Sequence, residues 1–160
     1  RTSYSLYADS LGSWFNDNVS EEWTSLRARL MALLSDEASL DEIVKLVGMD
    51  ALSPTDRLKM ETARSIREDF LHQLAFHEVD TYSSLRKQYL MMKLVLRFYD
   101  GSLDALKKGA NIEKLVSIPS RESVGRFKYV HENDIEDTYK TVCAAIDSEI
   151  KAAVDAREDY

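Results

Sequence analysis

The sequence predicts an all-α protein, an irregular multi-helix bundle of about six to eight helices. Apolar side chains recur at helical spacing, and Ser or Asn residues stand where several helices would begin. The 160 residues include only five glycines and two prolines, which disfavours a turn-rich β architecture. A chain of this length buries roughly 68–70% of its unfolded surface, so we expect residues 1–160 to form a single domain.

The first part of the chain predicts three helices. Residues 4–15 indicate a helix with an aromatic face, which packs either into the core or against a preceding domain. A second helix runs from about Ser20 to Leu34. The capping-box pair Ser39 and Glu42 predicts a separate short helix that ends at Val47. The predicted buried stripes of these two helices are Trp23, Leu26, Leu30 and Leu33, and then Leu40, Ile43, Val44 and Val47.

A tight turn over residues 49–52 follows the third helix. Gly48 can take the positive φ that ends a helix, and Ser53 and Pro54 fit the N-cap and first position of the next. One helix therefore stops and another starts within about five residues. The turn should present its backbone and acidic side chains outward, stiffened by Pro54.

A long helix is predicted from Pro54 to about Leu71. Its charged outer face is expected to be solvated, and its predicted buried residues are Leu58, Ala63, Ile66 and Phe70. After a connection over residues 72–81, a strongly apolar helix begins near Leu85 and is expected to stop at Asp100-Gly101.

The last part of the chain predicts two short helices and one long one. The short helices cover residues 103–108 and 112–116, and residues 117–131 show no clear period. Asn133 and Glu136 form a capping-box pattern that opens a terminal helix. Ile135, Tyr139, Val142, Ile146 and Ile150 lie in register on it.

Charge and composition exclude several classes of partner. Twenty-eight acidic residues against 21 Lys and Arg give a net charge of −7, which disfavours nucleic acid and anionic lipid. No apolar run approaches the ~20 residues that cross a bilayer, so direct membrane contact is not expected. The single cysteine, Cys143, fits a small buried residue on a helix. The chain begins at Arg1 rather than Met, which suggests a fragment or a processed product.

The motifs for phosphoryl transfer and serine hydrolysis are missing from this sequence. It contains neither a Gly-x-x-x-x-Gly-Lys phosphate-binding loop nor a Gly-x-Ser-x-Gly elbow. His72 and His77, five residues apart, give no recognised metal-ligand spacing. We therefore expect no catalytic residue and no metal ligand in this chain.

Several short runs in the central part form a specific pattern. They are LVGMDALS at residues 46–53, Asp56-Arg57-Leu58, IREDFL at residues 66–71, Ala75-Phe76-His77 and Val79-Asp80. On these residues the chain resembles the C-terminal helical domain of the catalytic A subunit of archaeal A-type and related V-type ATP synthases. It resembles more distantly the catalytic β chain of F-type ATP synthases. The likeness extends from Ser3 through Tyr89 and fades after about Tyr99.

The resemblance implies a role in a rotary ATP synthase that couples ATP synthesis or hydrolysis to proton or sodium transport. The nucleotide-binding domain, with its bound Mg²⁺ and phosphate-binding loop, would lie upstream of Arg1. ATP or ADP would bind the full subunit and not tightly this polypeptide alone, which we expect to be inactive. The implied location is cytoplasmic and peripheral to the membrane.

Two aromatic residues are implied to line the adenine pocket. Read alone, Phe76 is better explained as a core anchor, but the resemblance reverses this preference, because Phe76 occupies the position of a pocket aromatic in the catalytic subunits. Tyr82 aligns with a second pocket aromatic of the F-type β chain. Leu74 and Glu78 stand where A-type subunits commonly have Asn and Pro, which puts a polar role at position 74 in doubt.

The resemblance also implies contact between the tight turn and the central stalk. This corner segment consists of Met49, Asp50, Ala51, Leu52, Ser53, Pro54, Thr55, Asp56 and Arg57. Exposed acids interact weakly through water and salt, about 0–1 kcal/mol per pair, so we expect contact through shape more than charge. Expected partners are the non-catalytic B subunits and the central-stalk subunits. The alternative is a free-standing helical adaptor without a nucleotide link.

Overall fold

A computed structural model describes residues 22–71 and 85–156 of this protein. These residues contain helices and turns but no strand, which confirms the predicted all-α class. In this part of the chain there are six α-helices: α1 Glu22–Val47, α2 Pro54–Ser65, α3 Leu85–Lys107, α4 Ile112–Val116, α5 Ser120–Arg126 and α6 Ile135–Ala156. The helix predicted over residues 4–15 lies outside the described residues.

Helix α3 forms the centre of the fold. It packs against α1, α2 and α6, and its middle is buried on nearly every side. A helix that is apolar all round is expected in a core rather than on a surface. Its buried apolar residues are Tyr89, Leu90, Met91, Met92, Leu94, Val95, Leu96, Phe98 and Tyr99.

Helix α1 is one continuous helix, so the prediction of a break before Ser39 was wrong. No Gly or Pro interrupts residues 35–39, and two acids there make ion pairs with the helix that follows. Asp36 lies 3.3 Å from Lys59 Nζ, and Glu37 accepts two hydrogen bonds from Arg67. The predicted stripe is buried at Leu26, Leu30, Leu33 and Leu40, whereas Ile43 and Val47 are exposed.

Helix α3 continues through Asp100-Gly101, and the stop predicted there was also wrong. Gly101 allows α6 to approach, since a Cβ at this position would lie 3.0 Å from Ile150 Cδ1. Asp100 accepts a hydrogen bond from Arg29 Nη1 at 2.9 Å. Residues predicted as a separate helix from 103 therefore belong to α3, which ends at Lys107 just before Gly109 with its φ of 95°.

The region over 117–131 contains α5 and a 3₁₀ turn, Phe127–Tyr129. These elements are too short for apolar residues to recur at helical spacing in the sequence. The predicted cap of the terminal helix was wrong as well, because His131 Nδ1 accepts from the Asn133 N–H at 3.1 Å and Glu136 pairs with Arg86. Val142, Cys143, Ile146 and Ile150 are buried on α6, as predicted.

Candidate functional site

The turn between α1 and α2 is closed by backbone hydrogen bonds. Gly48 has a φ of 90°, as its position after the helix predicted, and its N–H donates to the Val44 carbonyl at 2.8 Å. Met49–Ala51 form a 3₁₀ turn, and the Leu52 N–H donates to the Met49 carbonyl at 3.1 Å. The chain thus reverses without a long loop.

The start of α2 confirms the predicted cap. Ser53 Oγ accepts from the Asp56 N–H at 3.1 Å, and the Arg57 N–H donates to the Ser53 carbonyl at 2.9 Å. Pro54 occupies the first turn, where its missing N–H has no helical partner to lose. The turn is therefore fixed on both sides, by Gly48 before it and by Ser53-Pro54 after it.

The corner segment is largely exposed to solvent. Its residues 49–51 and 53–55 are exposed, while Leu52, Asp56 and Arg57 are half-buried. The adjoining end of α1 adds apolar surface, with Leu46 83% and Val47 62% exposed beside Met49 at 38%. The outward surface is thus largely apolar and includes the Asp50 carboxylate.

Arg57 differs from the rest of the corner segment because its side chain pairs with α4. Its guanidinium makes a two-bond ion pair with Glu113, with Nη2 donating to Oε1 at 2.8 Å. The side chain is only 24% exposed. Glu113 raises the pKa of Arg57 through this hydrogen bond.

Much of the charged face of α2 and the segment that follows it is paired with neighbouring helices, contrary to expectation, whereas Arg64 is 52% exposed. Lys59 and Arg67 pair with α1, and Glu61 pairs with Arg121 of α5 at 3.1 Å. Arg121 also lies 5.0 Å from the centre of the Phe98 ring. Arg121 could not be identified from the sequence, because residues 117–131 show no helical spacing of apolar residues and a single arginine there does not indicate a contact.

The far end of α2 continues as a π-helical segment, Ile66–Leu71. Asp69 in this segment packs on Gly125 so closely that a Cβ there would lie 3.1 Å from Asp69 Oδ2. Burial raises the pKa of the Asp69 carboxyl, and Lys128, whose Nζ is 3.8 Å from Oδ1, acts in the opposite direction. Leu58, Ala63 and Ile66 are buried, as predicted, whereas the side chain of Phe70 lies outside the described part of the protein.

The predicted adenine-pocket residues Phe76 and Tyr82 lie outside the described residues, as do His72 and His77. Across residues 22–71 and 85–156, no group of three or more His, Cys, Asp or Glu side chains is arranged to hold a metal ion. No helix in those two ranges is long and apolar enough to cross a membrane.

Together these features define a helical domain with an exposed, capped turn at the start of a helix that is ion-paired to its neighbours. The chain belongs to the family described as the C-terminal domain of V and A type ATP synthase, which matches residues 12–116. This match confirms the family resemblance that the sequence pattern indicated, and it continues past Tyr99, where the likeness was expected to fade.

The chain is similar to proteins named V-type ATP synthase alpha chain from several bacteria. It is 50% identical to that of Acetivibrio thermocellus over 95% of this chain and 26% of the relative. It is 54% identical to that of Thermoanaerobacter pseudethanolicus over 96% of this chain and 25% of the relative. It is 58% identical to that of Clostridium novyi over 83% of this chain and 23% of the relative. The chain spans about a quarter of the length of the curated relatives it matches.

Proposed function

We propose that this chain is the C-terminal helical domain of the catalytic subunit of a rotary V/A-type ATP synthase. In that role it transmits ATP-driven opening and closing of the subunit to the central stalk. The observation that carries the proposal is the corner segment, an exposed turn capped on both sides and mounted on a helix that is ion-paired to its neighbours. Family membership favours this function over that of a free-standing adaptor.

Contact with the stalk would rely on shape more than on charge. Asp50 is the exposed acid of the corner segment, whereas Asp56 is half-buried next to Ser53, the N-cap of α2. An exposed ion pair contributes only about 0–1 kcal/mol. A stiff turn with apolar side chains such as Met49 can instead push by direct contact.

The nucleotide would bind the longer subunit, with Phe76 and Tyr82 completing the adenine side of its site. Mg²⁺ and the phosphates would be held by a nucleotide-binding domain outside this chain, so we expect the polypeptide alone to show no ATPase activity. Partners would be the non-catalytic B subunits and the stalk subunits. The domain would remain cytoplasmic and peripheral to the membrane, with proton or sodium flow in another sector.

The test replaces the turn in the full-length subunit within a reconstituted complex. We expect the variant M49G/D50G/A51G to lower the number of ions pumped per ATP hydrolysed, because it removes both the side chains and the stiffness. Asp50→Asn alone should retain coupling, since only charge is lost. The matched control is E132G/N133G/D134G in another exposed 3₁₀ turn, Glu132–Asp134 at the start of α6, which should pump normally. Normal coupling in the corner variant would overturn the proposal.

A further inference from the structure

The base of the corner segment is ion-paired to α4, which follows the part of the chain from which the family resemblance was inferred. Arg57 lies in the first turn of α2 and forms its two-bond pair with Glu113, 56 residues further along the chain. Glu113 is itself held in place, because its N–H donates to Asn111 Oδ1 at 2.7 Å in the cap of α4. The carboxylate therefore meets Arg57 from a fixed backbone.

Helix α4 is anchored to α2 a second time through Arg121. Its Nη1 donates to the Val116 carbonyl at the end of α4 at 2.7 Å and to Glu61 Oε1 at 3.1 Å. Its Nη2 donates to Ser65 Oγ at 2.7 Å and to the Glu61 carbonyl at 3.2 Å. The side chain is 16% exposed, so these bonds form largely away from water. Because Arg121 joins the far end of α4 to the far end of α2, α4 cannot pivot away while Glu113 holds Arg57.

The apolar contacts of α2 do not resist sliding in the same way. Leu58, Ala63 and Ile66 bury one face of the helix, and hydrophobic contact is non-directional. A planar guanidinium that meets a carboxylate with two bonds adds geometric specificity. A turn that pushes on a partner needs its base fixed against displacement along the helix axis and sideways.

We propose that Glu113 is a positioning residue for the corner segment. Through Arg57 it fixes the start of α2 against α4, so that a load on the corner segment passes into the C-terminal helices instead of displacing α2 alone. The inference rests on the proposed function, and it gives the segment after Tyr99 a part in torque transfer.

A charge swap in the full-length subunit of the reconstituted complex tests the role of Glu113. Arg57→Glu and Glu113→Arg each place like charges together, and we expect each to lower ions pumped per ATP about twofold or more. The double variant R57E/E113R restores opposite charges and should recover most of the coupling. Such recovery would not follow if Glu113 served only as a solvated surface residue.

The matched control is the pair Arg97 and Asp147, which joins α3 to α6 with two hydrogen bonds of 2.9 and 2.5 Å. The single variants Arg97→Asp and Asp147→Arg should lower the melting temperature while leaving ions pumped per ATP unchanged. The inference is overturned if the Arg57 and Glu113 variants couple normally, if the swap fails to recover coupling, or if the control variants uncouple equally.

The glycine variant M49G/D50G/A51G separates this inference from the proposed function. If that variant uncouples the complex and the Glu113 variants do not, stalk contact stands and only the positioning role is lost. If the glycine variant pumps normally, the proposed stalk contact fails and the role of Glu113 fails with it.

Discussion

The backbone of Gly101 lies against the side chain of Ile150, where an added Cβ would come within 3.0 Å of Cδ1. Glycine inside a helix costs about 1 kcal/mol relative to alanine. Close packing of α3 on α6 at this point offsets that cost. It also explains why a residue pair that usually ends a helix lies in the middle of one.

Larger side chains at position 101 should destabilise the fold. We expect Gly101→Val to lower the free energy of unfolding by about 1–3 kcal/mol, because its methyl groups overpack the contact with Ile150. Gly101→Ala should be nearly neutral, since its helix propensity offsets the tighter contact. Urea unfolding measures both variants. Adding Ile150→Val, which removes Cδ1, should recover part of the loss, and a fully stable Gly101→Val variant would contradict the packing argument.

Arg121 should contribute more to stability than a typical surface arginine. Arg121→Ala leaves the half-buried Glu61 carboxylate without its partner from α5, and we expect a loss of about 2–4 kcal/mol. Arg121→Lys should recover only part of it, because one ammonium cannot reach all four acceptors, which lie on three residues of two helices. The control is Arg126→Ala. The Arg126 side chain is 75% exposed, so its removal should lower the free energy of unfolding by no more than about 0.5 kcal/mol. Equal losses at the two positions in urea unfolding would refute the assignment.

Tyr89 predicts a specific dependence of stability on alkaline pH. Burial, with the hydrogen bond that its hydroxyl donates to Glu22 Oε1 at 2.6 Å, raises the pKa of Tyr89 from 10.0 to about 12. Between pH 10.0 and about 12, the Tyr89 hydroxyl therefore keeps its proton in the folded protein but loses it in the unfolded chain. The stabilising contribution is therefore complete below pH 10.0 and is lost as the pH rises towards about 12.

The comparison of wild type with Tyr89→Phe isolates this effect. Between pH 10.0 and about 12, wild type should lose more of its free energy of unfolding than the variant does. Urea unfolding at several pH values gives the two slopes. Tyr129→Phe, which removes a hydroxyl from an exposed ring, is the matched control. If the free energy of unfolding falls with pH equally in wild type and Tyr89→Phe, the buried hydroxyl does not cause the pH dependence.

The sequence predicted features whose causes are local. Gly48 and the Ser53-Pro54 cap act within a few residues, and the stripe on α6 follows from helical periodicity. Predictions failed where distant contacts override local signals. The helix continues through Ser39, because Asp36 and Glu37 just before it pair with Lys59 and Arg67. The helix also continues through Gly101, which packs against Ile150.

The same limit applies to the candidate site. The tight turn could be predicted because its glycine, cap and proline are consecutive in sequence. The Arg57–Glu113 pair and the contacts of Arg121 with α2 could not be predicted, since they join residues 56 to 60 positions apart. Arginine and glutamate are common on helix surfaces, so only the fold shows which of them meet.

Phe76 provides the test of the nucleotide role implied by the family resemblance. In the full-length subunit, we expect Phe76→Ala to weaken ATP binding by the loss of one stacking contact, about 1–3 kcal/mol or roughly 5- to 150-fold in Kd. Phe76→Trp keeps a ring that can stack and should retain most of the affinity, whereas Phe76→Leu keeps apolar volume without a ring. An equilibrium titration of each variant with ATP separates the two interpretations. Stacking predicts that Phe76→Leu binds nearly as weakly as Phe76→Ala, while a core anchor predicts that Phe76→Leu recovers both affinity and stability.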